Sequence, residues 1–253
     1  MSLRYCFESE YVLATLNRSR RNDLAVIDTD GIDGSLIQSA VKRGVYVYGY
    51  VNVGALESGR FYYPQYKHLR LAKYDGWNGE YWIDPTAPEW KAHIIDLGKK
   101  IKALGGIGIY FDNSDIYYMV KDKKLRKQYS RAIPSADSVY KALSDIVIGL
   151  HNLGLIVMPN GGDVFAKKFI TKHPGIISTI NQEGLFYEDF KKQSKSETAY
   201  RKNWMKWAAK HVSGKVRGIE YCKRAPEIAA CKAYYSAHGW DVYISKHKDL
   251  RGD

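Results

Sequence analysis

Two hydrophobic periods alternate along this chain, and that alternation limits the folds open to it more than any other feature. Short β-branched and aromatic runs recur at 4–7, 24–28, 45–53, 108–112, 155–160, 176–181, 216–221 and 241–245. Stretches with helical period lie at 35–43, 89–104, 135–153, 164–172, 198–212 and 226–238. Within them Ile94, Leu97 and Ile101, and again Leu143, Ile146, Val147 and Leu150, return to one face. Gly44, Gly105, Gly154, Gly214 and Gly239 stand at the helix exits, just before strands. Eight strands separated by helices predict a parallel α/β sheet. The 253 residues allow about 32 per unit, the spacing of a single-domain (β/α)8 TIM barrel spanning 1–253. A nucleotide-binding sheet would carry G-x-G-x-x-G after an early strand or a G-x-x-x-x-G-K-[ST] loop, and neither occurs.

Composition then narrows the partners. Lys and Arg number 39 against 27 Asp and Glu, a formal net charge of +12. That surplus suits an anionic polymer, but 21 Tyr and six Trp serve carbohydrate sites as well as nucleic acid. The basic runs 121–131 and 191–215 read as solvated faces. No apolar run approaches the ~18 residues of a membrane span. Three cysteines, Cys6, Cys222 and Cys231, neither staple a small scaffold nor have zinc-site spacing, so no metal or other cofactor is expected. Arg4, Glu8 and Glu10 interrupt any leader-like apolar stretch. A secreted or cell-surface location with the leader removed is expected, and a cytoplasmic one is the alternative.

Side chains alternate along a strand, so each strand has two faces to compare. Around Asp112, one face carries Ile107, Ile109 and Phe111, and the other carries Gly108, Tyr110 and Asp112. The same division places Asp28, Asp30, Asn52, Asn160, Glu183 and Glu220 on inward faces near the C-terminal strand ends. Barrel enzymes keep their catalytic groups at that end. One such acid is commonly a structural hydrogen-bond partner, whereas several together are costly unless they serve a site. None of the seven histidines falls at a strand end on the polar face, and G-x-S-x-G is missing. Lys223 and Lys246 lie just beyond strands, where a Schiff-base lysine would fall short. Paired carboxylates beside loop aromatics such as Phe61, Trp77, Tyr81 and Tyr118 point to glycoside hydrolysis.

Four segments carry a family resemblance. They are Tyr50-Val-Asn-Val-Gly-Ala-Leu-Glu57 with Arg60, Trp77-Asn-Gly-Glu80-Tyr-Trp82-Ile-Asp84, Gly108-Ile-Tyr-Phe-Asp112-Asn113-Ser-Asp115 and Asn181-Gln-Glu183-Gly-Leu-Phe-Tyr187-Glu188. In this order, at strand ends, they resemble the endo-α-1,4-polygalactosaminidase family, glycoside hydrolase family 114. The resemblance implies a (β/α)8 glycosidase, usually secreted or cell-surface, that acts on polymers containing α-1,4-linked galactosamine. It also implies Asp112 as nucleophile or base and Glu183 as general acid/base, with the swapped assignment open. Asp115, Asp84, Glu57 and Arg60 would shape the subsites; for Glu57 and Arg60 the alternative is an ion pair bracing the third loop. Asp28, Asp30, Asn52, Trp82, Asn113, Asn160, Asn181, Tyr187 and Glu220 complete the expected substrate-binding set.

A deacetylated galactosamine polymer is cationic, and a chain of charge +12 repels it at long range. The mouth must therefore be locally acidic, or the substrate neutral or anionic. The leading expectation is a monomeric endo-glycosidase with a polysaccharide partner and no nucleic acid. A non-catalytic carbohydrate-binding barrel is the second reading. An anionic-polymer or nucleic-acid binder is the third, and the inward acids argue against it.

Overall fold

A computed structural model describes residues 2–123, 127 and 132–252; most of the basic run 121–131 lies outside them. In chain order the strands are β1 (Leu3–Cys6), β2 (Leu24–Ile27), β3 (Tyr46–Asn52), β4 (Ala55–Glu57), β5 (Arg70–Lys73), β6 (Glu80–Ile83), β7 (Gly108–Asp112), β8 (Ile156–Pro159), β9 (Ile180–Glu183), β10 (Tyr187–Glu188), β11 (Lys191–Lys192), β12 (Val216–Tyr221) and β13 (Asp241–Ser245). The helices are α1 (Ser9–Arg18), α2 (Gly34–Lys42), α3 (Tyr63–Tyr66), α4 (Pro88–Ala103), α5 (Ile116–Met119), α6 (Ala136–Asn152), α7 (Asp163–Lys172), α8 (Lys195–His211) and α9 (Ala225–Ala237).

Two parallel arcs form the barrel wall, β1-β2-β3-β7-β8 and β9-β12-β13. A parallel bridge between Asn160 and Asn181 joins β8 to β9, and the Gly161 amide donates to the Asn181 carbonyl at 3.0 Å. On the other side Tyr5 packs on Tyr243 at 5.3 Å, and the Phe7 amide donates to the Leu250 carbonyl. The result is the expected α/β TIM barrel. Local signals set the helix starts: Asp33, Ser135 and Ser194 cap α2, α6 and α8, while Pro88 and Pro226 open α4 and α9. Helix α6 buries Val139, Leu143, Ile146, Val147 and Leu150 against the wall. Each such burial stabilises by about 1.5–3 kcal/mol.

Tyrosines fill much of the barrel interior. Tyr5, Tyr48, Tyr110, Tyr221 and Tyr243 are buried there with Val26, Met158 and Ile219. Strands β2, β3 and β7 show the expected alternation, with Ala25, Ile27, Val47, Ile109 and Phe111 in the outer layers. Strand β12 does not follow the expected division. Its Ile219 and Tyr221 face inward, while Gly218 and Glu220 face α9, where the Tyr235 hydroxyl leaves no room for a Cβ on Gly218. The polarity of Glu220 suggested the mouth, but apolar and tyrosyl side chains claim the interior of this strand.

The sequence pattern did not lead one to expect α1, the one-turn helices α3 and α5, the β10–β11 hairpin, or the antiparallel sheet β4-β6-β5 in the β3–α4 connection. This sheet stands over the C-terminal rim and carries Glu80 and Trp82.

Candidate active site

Strand β7 ends at Asp112, β9 ends at Glu183, and Asn160 follows β8 between them. The Asn160 Nδ2 donates to Asp112 Oδ1 at 3.0 Å and to Glu183 Oε1 at 2.7 Å. Both carboxyl groups therefore hang on one amide. Asn160 is itself oriented, because its Oδ1 accepts from Asn181 Nδ2 at 2.8 Å. Asn181 is fully buried, and its Oδ1 accepts from the Tyr5 hydroxyl at 2.9 Å. A hydrogen-bonded chain thus runs from the barrel interior to the carboxyl pair.

Tyrosines complete the arrangement. The Tyr50 hydroxyl donates to Asp112 Oδ2 at 3.1 Å, and the Tyr110 hydroxyl donates to Glu183 Oε1 at 2.9 Å. The Tyr221 hydroxyl donates to Glu183 Oε2. Burial pushes the Asp112 carboxyl up to about 8, with the nearby Glu183 charge adding to the effect. Burial also raises Glu183, opposed by its donors Tyr221, Tyr110 and Asn160. At neutral pH the pair consequently holds a proton that two solvated carboxyls would have lost.

A third buried acid stands beside them. Glu80 accepts from Asn52 Nδ2 at 2.7 Å and from Asn113 Nδ2 at 3.0 Å, and burial raises it to about 7. The two asparagines are locked in turn, since Asn52 Oδ1 accepts from the Ala55 amide and from Asn113.

A cavity of about 350 Å³ opens over the pair. Seven carboxylates line it: Glu80, Asp112, Asp115, Asp163, Glu183, Glu188 and Glu197, with Arg201 as the one cationic side chain among the described lining residues. Burial, and then the Asp163 charge, raises Asp115 to about 6. A second hollow of about 330 Å³ also borders the pair, and Trp77, 47% exposed, lines both. Among the described residues, no group of three or more His, Cys, Asp and Glu side chains is placed to hold a metal ion. No helix among them is long and apolar enough to cross a membrane.

The expected site residues divide accordingly. Asp112, Asn113, Asp115, Asn160 and Glu183 line the first cavity, and Glu57 and Arg60 line the second. Arg60 donates to Glu57 at 2.9 and 3.0 Å and pairs with Asp28 and Asp30, so it braces the β2 and β3 loops. Asn52 and Asn181 stand behind the lining as hydrogen-bond partners. Trp82 is buried under Tyr74 at 4.6 Å, and the Asp84 carboxylate caps the Thr86 amide at 2.9 Å. Tyr187 and Glu220 meet each other behind the wall, through the Tyr187 amide. Sequence reasoning missed Glu80, Asp163, Glu188, Glu197 and Arg201 as lining residues. Glu80 and Glu188 lay within the motifs, but Asp163, Glu197 and Arg201 come from helices whose facing no strand pattern reveals.

A barrel with a carboxylate-lined mouth and an acid pair at the ends of β7 and β9 has the architecture of a glycoside hydrolase. The family model for glycoside hydrolase family GH114 matches residues 6–250, and the chain belongs to that family and is a glycosidase. Direct comparison with curated proteins gives no match. Among solved structures, the glycoside hydrolase domain of PelA from Pseudomonas aeruginosa superposes with a TM-score of 0.76 at 16% identity, covering 100% of this chain and 97% of that one. Aspergillus fumigatus Ega3, solved in complex with galactosamine, gives 0.72 at 14% identity, covering 98% and 91%. An α-galactosidase from Thermus thermophilus gives 0.60 at 12%, covering 98% and 58%. At these identities the likeness is one of fold.

Proposed function

We propose that this glycosidase is an endo-acting hydrolase of polysaccharide containing α-1,4-linked galactosamine or N-acetylgalactosamine, secreted or at the cell surface, with Asp112 and Glu183 as its catalytic carboxyls. The observation that carries the pair is the shared Asn160 amide. Its distances of 3.0 and 2.7 Å keep Asp112 Oδ1 and Glu183 Oε1 within about 6 Å of each other. Carboxyls about 5–5.5 Å apart serve retention, and about 6.5–9.5 Å is needed to admit water for inversion. One carboxylate attacks the anomeric carbon while the other carboxyl gives its proton to the departing glycosidic oxygen. The glycosyl–enzyme ester is then cleaved by a water whose proton returns to the second residue.

The family resemblance implies Asp112 as nucleophile or base and Glu183 as acid/base, and the short spacing favours the nucleophile. A reversed assignment has its own support: Glu183 accepts from three side-chain donors and Asp112 from two, which favours charge on Glu183. The seven carboxylates around the cavity support a cationic amino sugar, and Ega3, with the same fold, was solved with galactosamine.

Reducing ends released from a galactosamine polymer, its N-acetylated form and anionic wall polymers test the substrate. Asp112→Asn and Glu183→Gln should each lower cleavage by about 10²–10⁴-fold without unfolding. Full activity in either variant overturns the pair. Nitrophenyl oligosaccharides, whose leaving group needs no proton, assign the roles in the first turnover: the acid/base variant still releases a stoichiometric burst of nitrophenol before the ester stalls, and the nucleophile variant gives none. Tight oligosaccharide binding with no new reducing ends favours the non-catalytic barrel.

A further inference from the structure

The segment that follows Glu183 is gripped from two sides by charged side chains. On the rim, Arg201 Nη1 from α8 donates to the backbone carbonyls of Glu183 at 2.6 Å and Gly184 at 2.9 Å. The remaining guanidinium nitrogens are held by Glu197 at 2.7 Å and Glu188 at 2.8 Å. Behind the barrel wall, Glu220 from β12 accepts the Phe186 amide at 3.1 Å, the Tyr187 amide at 2.9 Å and the Tyr235 hydroxyl at 3.0 Å. Glu220 is 0% exposed and does not border either mouth cavity.

Residue 184 is shaped to this grip. Gly184 has φ +61°, and a Cβ there would lie 2.8 Å from Arg201 Nη1 and 2.8 Å from the Glu188 Cβ. The Gly184 amide donates to the Ile219 carbonyl at 2.8 Å, which ties the same turn to β12. A buried carboxylate is costly, and this one is spent on two amides that no neighbouring strand serves.

We propose that Arg201 and Glu220 are positioning residues that clamp the 183–187 turn and so fix the Glu183 carboxyl against Asn160 and the glycosidic oxygen. The clamp rests on the reading of Glu183 as the acid. It reassigns Glu220 from substrate contact to placement of another group, and gives a role to Arg201, the one cation among the described lining residues of the first cavity. Arg201 holds carbonyls with one nitrogen and rim carboxylates with the others. Glu220 holds amides, so the turn cannot rotate about either attachment alone.

Both the polymer and a nitrophenyl oligosaccharide serve as substrates in the test. Glu183→Gln should lose polymer cleavage and keep the first-turnover burst of nitrophenol, with the later ester hydrolysis slowed because the same residue serves as base. Arg201→Met and Glu220→Leu should show the same split, with polymer kcat down about 10²-fold, the loss expected for a reacting group displaced by about 1 Å, and KM little changed. Glu220→Gln should recover most of the activity, because its carbonyl accepts both amides and its NH2 can donate to the Tyr235 hydroxyl. Arg201→Lys should recover part of it through one donor. Arg201 lies on the rim, so its variants remain informative if Glu220→Leu does not fold. Equal loss of polymer cleavage and of the rate of the nitrophenol burst, or a rise in KM alone, overturns the clamp. If Glu183→Gln itself loses the first-turnover burst of nitrophenol, the reading of Glu183 as acid fails, and the clamp fails with it.

Discussion

One amide nitrogen, Asn160 Nδ2, donates to Asp112 and Glu183 at once and so bridges the two carboxyls. Asn160→Ala should lower kcat by about 10²-fold with a smaller change in KM, because the two acids lose their common reference point. Steady-state kinetics on a soluble oligosaccharide checks this, and wild-type kcat would show that the spacing is set elsewhere. Period-two alternation already put Asp112, Asn160 and Glu183 on one face, so this part of the site was legible in the sequence. The same rule misplaced Glu220, because it took polarity as the mark of the inward face. In β12 the inward positions include Ile219 and Tyr221, and it is the Tyr221 hydroxyl that reaches Glu183. A tyrosine-filled barrel hides its site partners among residues that read as core.

At the scale of elements, the β4-β6-β5 sheet brings Glu80 over the barrel end, and one glycine sets how closely it approaches. At Gly54, between β3 and β4, backbone meets backbone, and an added Cβ would overlap the Asn113 carbonyl. Asn113 has φ +59° and donates to Glu80, so displacing its backbone disturbs both. Gly54→Ala should therefore cost about 1–3 kcal/mol of stability, read from the urea midpoint, and lower activity more than that loss implies. A wild-type midpoint would show that the turn adapts freely. The barrel strands and helices were legible because each sustains its period over several residues. The rim sheet was not, because β4, β5 and β6 are three or four residues long, and β4 and β5 join through the single turn of α3. Arg201 escaped notice for a related reason: it belongs to α8, whose facing depends on how that helix packs against β9.

For the whole molecule, the buried acids make stability depend on pH in a direction that the pKa shifts fix. Burial raises Asp112 to about 8 and Glu80 and Glu220 to about 7, so between about pH 4 and pH 8 the folded chain binds more protons than the unfolded one. Stability from these groups consequently falls as pH rises through that window. Thermal midpoints should climb on going from about pH 8 to about pH 5, and Asp112→Asn should flatten the slope. Below about pH 4 the trend reverses as Asp96 and Asp145, held low by Lys99 and by Lys141, take up protons. A flat profile between pH 5 and 8 would show that the buried acids are fully solvated. The charge distribution sets the last test. The net charge is +12, yet the cavity is lined by seven carboxylates and a single arginine. At about 0.15 M salt the screening length is about 8 Å, so a cationic chain at the mouth feels the near carboxylates more than the distant lysines. Added salt should then raise KM for a deacetylated galactosamine polymer and leave kcat nearly constant. If the overall +12 governed the encounter instead, salt would lower KM, and the acidic mouth could not be what draws the substrate in.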